Sequence, residues 1–192
     1  MQLILLSKPD FFIEEHQILT LLFEEGLEVL HLKKPNSEPV YSERLLTLIP
    51  EKFHKNIVVH QNFYLKEEYG LKGIHLSKDE TNIPKVFTGS LSCTCRTLDD
   101  VSRRKGACSY VVLPDVERFS IDSLEKAAEE NLIDRKVMAA GNITVDTINK
   151  LKNFGFGGVV VSDDIWNRFD LHSVQDYKEL ITHFRALRKA TE

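Results

Sequence analysis

The chain has 192 residues, 42% hydrophobic and 28% charged, with nine Gly and six Pro, which excludes a mainly disordered or collagen-like polymer. A chain this long can bury roughly 70% of its unfolded surface, so it needs no disulfide or structural metal to hold together. Acidic residues number 29 against 25 basic ones, a net charge of −4, so no basic field marks nucleic acid as the partner.

Three cysteines, two of them the closely spaced Cys93 and Cys95, fit a reduced, cytoplasmic setting. No apolar run exceeds four residues, far below the ~20 needed to span a bilayer, so no membrane is expected as partner. Leu3–Leu6 therefore reads as a first strand rather than a leader. A helix follows with Ile18, Leu19, Leu22 and Phe23 on one face, closed by Gly26. Val29–Leu32 is strand two, and a helix is predicted from Tyr41 to Ile49. Ile57–Val59 is strand three, with a short helix over Phe63 to Tyr69. Gly73–Leu76 is strand four, and Val86–Ser92 is predicted as strand five, which leaves too little chain between them for a full crossover helix.

The second half repeats the alternation. Thr97 opens a helix with the Thr-x-x-acid spacing of a capping box. Tyr110–Leu113 is strand six, and Leu124, Ala127, Ala128 and Leu132 mark the next helix. Val137–Ala140 is strand seven, followed by a helix capped by Thr144 and stopped by Gly155. Gly158–Val161 is strand eight, and Val174 to Leu187 reads as the closing helix.

Apolar strands without alternation are buried on both faces, as in parallel sheets. A closed barrel and a five-stranded doubly wound sheet both fit, but the second leaves three strands unassigned. The expectation is an α/β fold, a compact (βα)8 TIM barrel, with residues 1–192 as one domain. At about 24 residues per unit this is a short barrel, since the usual minimum is about 200 residues.

Function in such a barrel collects at the C-terminal strand ends, and phosphate often binds after strands seven and eight. Those ends carry Gly141 and Asn142, then Val161 and Ser162. Asp163 and Asp164 stand beside them and would repel an anion unless they cap a helix. Lys33, Lys34 and Arg96 are candidate cations for a phosphate, and ordinary solvated surface is the alternative. His31, His60 and His75 with Cys93 or Cys95 raise a zinc reading, although no recognised ligand spacing accompanies them. Phe154, Phe156 and Trp166 suit either an interface in a homo-oligomer or the core.

The ordered runs Gly26–Lys33, Gly73–Leu76, Ala140–Thr144 and Gly157–Ser162 resemble the thiamine phosphate synthase/TenI family over nearly the whole chain. The resemblance implies a thiamine-biosynthesis enzyme that binds a phosphorylated thiazole. Synthase members also take a pyrimidine diphosphate, with Mg²⁺, and release pyrophosphate; TenI-type members isomerise a thiazole carboxylate phosphate and need no cofactor.

The diphosphate grip is thinned here. His31, Lys33 and Pro35 stand where synthases carry Gln, Arg and Lys, and His60-Gln61 replaces their Asn-Asp pair. The second Mg²⁺ carboxylate falls at Asp79 or Glu80. Thr94 keeps a hydroxyl, and the stretch after strand six lacks the pyrophosphate-binding Lys. Asp115 lies where TenI-type members place a proton-transferring His. The resemblance thus implies catalysis by Asp115 or His31, with substrate held by Lys33, Lys34, His60, Thr94, Arg96, Gly141, Asn142, Val161 and Ser162. TenI-type proton transfer is favoured. A divergent synthase and a non-catalytic phosphate-ligand binder are the alternatives.

Overall fold

A computed structural model of the chain describes residues 1–77, 87–168 and 174–192, with side chains from 177 onward in the last stretch. Eight parallel strands close into a barrel in sequence order. They are β1 (Gln2–Leu6), β2 (Val29–Leu32), β3 (Ile57–Val59), β4 (Gly73–Leu76), β5 (Ser90–Thr94), β6 (Tyr110–Leu113), β7 (Val137–Ala140) and β8 (Gly158–Val161). Helices pack outside: α1 (Glu15–Glu24), α2 (Pro39–Leu48), α3 (Tyr64–Glu68), α4 (Leu98–Arg104), α5 (Ile121–Glu129), α6 (Val145–Leu151), α7 (Asp163–Trp166) and α8 (Val174–Thr191). The shortened connection expected after strand four falls mostly on residues 78–86, outside the described residues.

The period-two alternation of a strand splits each apolar run between two cores. One face of every strand packs under the helices: Leu3, Leu5, Leu30, Leu32, Ile57, Val59, Ile74, Leu76, Val111, Leu113, Val159 and Val161 are all buried there. The other face fills the barrel with Ile4, Val29, Val58, Tyr110, Val112, Met138 and Val160. Phe156 and Trp166 are buried in the outer core.

Local signals set most element ends. The Thr97 hydroxyl accepts from the Asp100 amide at the start of α4. Thr144 and Thr147 satisfy one another's backbone amides in a reciprocal cap on α6. At Gly73 a side chain is excluded, because a Cβ would lie 1.8 Å from the Ser90 carbonyl oxygen on the neighbouring strand.

Strand five corrects the sequence reading. It runs over Ser90–Thr94, not Val86–Ser92. Apolar content pointed to Val86 and Phe87, but the strand that forms turns Ser92 and Thr94 inward, where both meet His75. Hydroxyls that satisfy a buried imidazole, rather than a run of hydrophobes, mark its inner face.

Candidate functional site

The polar residues at the C-terminal mouth fall into two groups. The first sits on β2 to β6. Register places His31 beside Val58, and His75 in line with Ser92, which is in turn in line with Tyr110. Paired residues on parallel neighbours share a face, so these side chains meet inside the barrel. His60, just past β3, reaches the same place from the rim.

Hydrogen bonds join them. The Tyr110 hydroxyl lies 2.6 Å from His31 Nε2, and His31 Nδ1 lies 2.9 Å from His60 Nε2. The two ring nitrogens of His75 meet the Ser92 hydroxyl at 2.9 Å and the Thr94 hydroxyl at 2.8 Å. His60 stacks on His75 with ring centroids 4.2 Å apart. One ligand nitrogen from each of the three histidines lies within 4.8 Å of the others.

Burial sets the charge here. It pushes the His31 pKa down to about 3. Burial, then neighbouring positive charge, holds His60 and His75 well below the usual imidazole range. The Tyr110 phenol is pushed up to about 12, again by burial. At neutral pH the group is therefore uncharged, and its members act as hydrogen-bond donors and acceptors.

The second group lines a cavity of about 340 Å³ formed by Asp115, Glu117, Gly141, Asn142, Ile143, Ser162, Asp163 and Asp164. It comes from the loops after β6, β7 and β8. Asp115 adopts a left-handed conformation, φ 53°, which Asp tolerates better than most residues. Gly141 has φ 135°, and a Cβ there would lie 2.1 Å from Glu117 Oε2 and 3.2 Å from the Asp115 Cα. Glycine is what lets the two loops approach. The Asn142 amide donates to Glu117 Oε2 at 3.3 Å, so a carboxylate of the protein already faces this turn.

Asp163 and Asp164 would repel an anion unless they cap a helix, and neither takes the capping position. The residue preceding α7 is Ser162, whose side chain makes no capping bond. Asp164 is held instead by His183 and Arg168, while Asp163 is exposed.

The expected cations divide in the same way. Lys33 and Arg96 are exposed, at the ends of β2 and β5. Lys34 does not reach the mouth as a free charge. Its ammonium is buried, 2.6 and 2.8 Å from the Glu15 carboxylate and 3.0 Å from the Asp10 carbonyl, under the Phe11 ring. The pairing follows from burial, since neither charge can be left alone in the core. Val161 points its side chain into the outer core, so only its backbone is available at the mouth.

The mixed histidine–cysteine zinc reading is overturned. Cys93 and Cys95 face the outer core, on the opposite side of β5 from Ser92 and Thr94, and Cys93 Sγ lies 3.3 Å from Cys108 Sγ. The three histidines are brought together without them. Asp79 and Glu80 lie outside the described residues. Tyr110, Ser92, Glu15 and Glu117 were missed as site residues. Ser92 left a signal, since it stands two residues from Thr94 and so on the same face of the strand.

No protein-family model matches the chain. It is 27% identical to the thiamine-phosphate synthase of Flavobacterium johnsoniae, a match that spans 61% of this chain and 64% of that protein's length. The crystal structure of thiamine phosphate pyrophosphorylase from Bacteroides thetaiotaomicron is 47% identical, covering 99% of this chain and 97% of that one, with a TM-score of 0.94. Thiamine phosphate pyrophosphorylase from Pyrococcus furiosus shares the fold at 14% identity, with a TM-score of 0.75 over 99% of this chain and 95% of that one. No helix among the described residues is long and apolar enough to cross a membrane. With the barrel, the whole-length match and the order of motifs together, the chain belongs to the thiamine phosphate synthase (thiamine phosphate pyrophosphorylase) family.

Proposed function

We propose that the chain is a thiamine-biosynthesis enzyme that binds a phosphorylated thiazole and moves a proton on it, in the manner of TenI-type members. The observation that carries this reading is that Asp115, Gly141, Asn142 and Ser162 share one cavity. Backbone amides at the glycine turn and the Ser162 hydroxyl suit a phosphate monoester, and Asp115 stands beside them to exchange a proton. In this reaction a proton leaves one carbon of the ring system and returns at another, so no second substrate or leaving group is required. His31 is the alternative base, an imidazole of the barrel interior with both ring nitrogens in hydrogen-bonding reach of Tyr110 and His60.

The same cavity carries Glu117, Asp163 and Asp164, whose charge disfavours a diphosphate more strongly than a monoester. Phosphate binding would displace Glu117 from the Asn142 amide.

The relatives' names favour a second reading, a divergent synthase that joins the thiazole phosphate to a pyrimidine diphosphate. Synthase members use Mg²⁺, a hard ion that prefers carboxylates. His60 and Gln61 do not fit it: the first is an imidazole within the histidine cluster, and the second accepts from the Lys34 amide.

The test incubates the protein with thiazole phosphate and pyrimidine diphosphate plus Mg²⁺, and separately with the thiazole carboxylate phosphate isomer. Isomer conversion alone supports proton transfer. Robust formation of thiamine phosphate and pyrophosphate sinks that preference in favour of the synthase. Thermal stabilisation by thiazole phosphate with no turnover in either assay identifies a non-catalytic binder.

A further inference from the structure

We infer that His31, His60 and His75 form a binding site for one divalent transition-metal ion of the zinc class, whose remaining coordination position takes an anionic oxygen. The site is read from geometry and does not rest on the proton-transfer reading.

Three imidazoles contributed by three successive strand ends, with ligand nitrogens within 4.8 Å of one another, are a donor set for Zn²⁺, Co²⁺ or Ni²⁺ and not for Mg²⁺ or Ca²⁺. Two nitrogens bound tetrahedrally to Zn²⁺ sit roughly 3.3 Å apart, given bonds of about 2.0–2.1 Å. The His31 Nδ1 to His60 Nε2 separation is 2.9 Å, so this pair has only to open slightly. The ion would take the place of the proton now shared between those two nitrogens.

Partners that orient ligands are already in place. Metal-bound histidines commonly fix the ring through the other nitrogen. His31 has the Tyr110 hydroxyl at 2.6 Å for that purpose. His75 is held at both nitrogens, by Ser92 and Thr94, so one hydroxyl can be released to free a ligand while the other keeps the ring oriented. His60 must turn out of its stack on His75, because an imidazole binds in its own plane. It is the half-buried member at the rim, which makes it the ring with room to turn. Neutral rings are the ligating form, and each can keep its one proton on the nitrogen away from the ion.

Three neutral ligands leave the ion's double charge uncompensated. Lys33 adds to the positive potential felt by His60 and His75. A fourth ligand is therefore expected to be anionic, a phosphate or carboxylate oxygen entering from the rim beside His60. With the ion bound His31 is a ligand, which leaves Asp115 as the proton-transferring group.

The test is Co²⁺ titration of the metal-stripped full chain, followed by visible absorption, with zinc content measured after equilibration and thermal unfolding in chelator as the folding control. The expected result is one Co²⁺ per chain with the intense bands of a four-coordinate, tetrahedral site, displaced by Zn²⁺. His60→Gln and His75→Asn should each weaken binding by more than about 100-fold, and Tyr110→Phe by the 10–100-fold typical of an outer partner. Should the ligand variants not fold, the wild-type spectrum and Tyr110→Phe decide. No saturable uptake at micromolar Co²⁺, a weak octahedral spectrum, or variants that bind like wild type would overturn the site. None of these readouts uses turnover, so failure of the thiazole assays leaves the result intact.

Discussion

The two sides of the barrel mouth are built differently. On the β2 to β6 side the polar groups are side chains of the barrel interior: His31, His75, Ser92 and Tyr110 are buried, and their ring nitrogens and hydroxyls meet one another. On the β6 to β8 side they belong to loops. Asp115, Glu117, Asn142 and Asp163 are half-buried or exposed, and they surround a glycine turn. Interior groups are fixed by packing and strand register, so their mutual geometry is set before any ligand arrives. Loop carboxylates can move aside for a ligand. The first side presents a preset array of uncharged donors and acceptors, and the second an acidic turn that can adjust around what enters and leaves.

Substitutions can break this contrast, beginning beneath the first side. Glu15→Ala leaves the buried Lys34 ammonium unpaired just beyond β2 and should cost about 3–5 kcal/mol in urea denaturation. The same pair makes stability depend on pH. Burial raises the Glu15 pKa from 4.5 to about 7, so between those values the folded chain keeps a proton that the unfolded chain has lost. That contribution is fully present below about pH 4.5 and is lost as pH rises through about 7. Wild type should therefore lose stability relative to Glu15→Gln across that window. A constant difference between the two proteins from pH 4.5 to 8 would refute it.

Smaller effects separate the two sides further. Tyr110→Phe strands His31 Nε2 without its 2.6 Å partner and should cost about 1–3 kcal/mol by chemical denaturation. On the loop side, Gly141→Ala forces a side chain into a φ of 135° against Glu117. It should cost about 1–3 kcal/mol and abolish thiazole phosphate binding by calorimetry. Glu117→Gln is expected to leave stability nearly unchanged while tightening that binding about tenfold, or about 1.4 kcal/mol, because a competing carboxylate is removed. Unchanged or weaker affinity would mean that the phosphate does not use the Asn142 amide.

Much of the fold was legible because it depends on short-range signals. Uninterrupted runs such as Tyr110–Leu113 and Gly158–Val161 match their observed strands, and Thr97 and Thr144 start helices where their spacing placed them. Strand five was misplaced because its inner face is polar, so apolar content moved the reading toward Val86. On the loop side, Gly141, Asn142 and Ser162 were named from the residues and Asp115 through the family resemblance, and they do share a cavity, since each lies within two residues of a strand end.

On the histidine side the sequence named His31, His60 and His75 together, but not the geometry that joins them. A period of two says that His31 and His75 share a face with their second neighbours, but not which face turns inward. His31, His60 and His75 are 29 and 15 positions apart along the chain, so no local spacing announces them. Closure of the barrel brings the ends of β2, β3 and β4 side by side, and strand register then sets their rings within hydrogen-bonding reach. The same closure turned Cys93 and Cys95 outward and buried Lys34 against Glu15. By itself the sequence determined the number of strands, most of their positions and a barrel at the short end of its class. Tertiary structure decided which charges survive at the mouth, because desolvation and pairing depend on neighbours that only the closed barrel supplies.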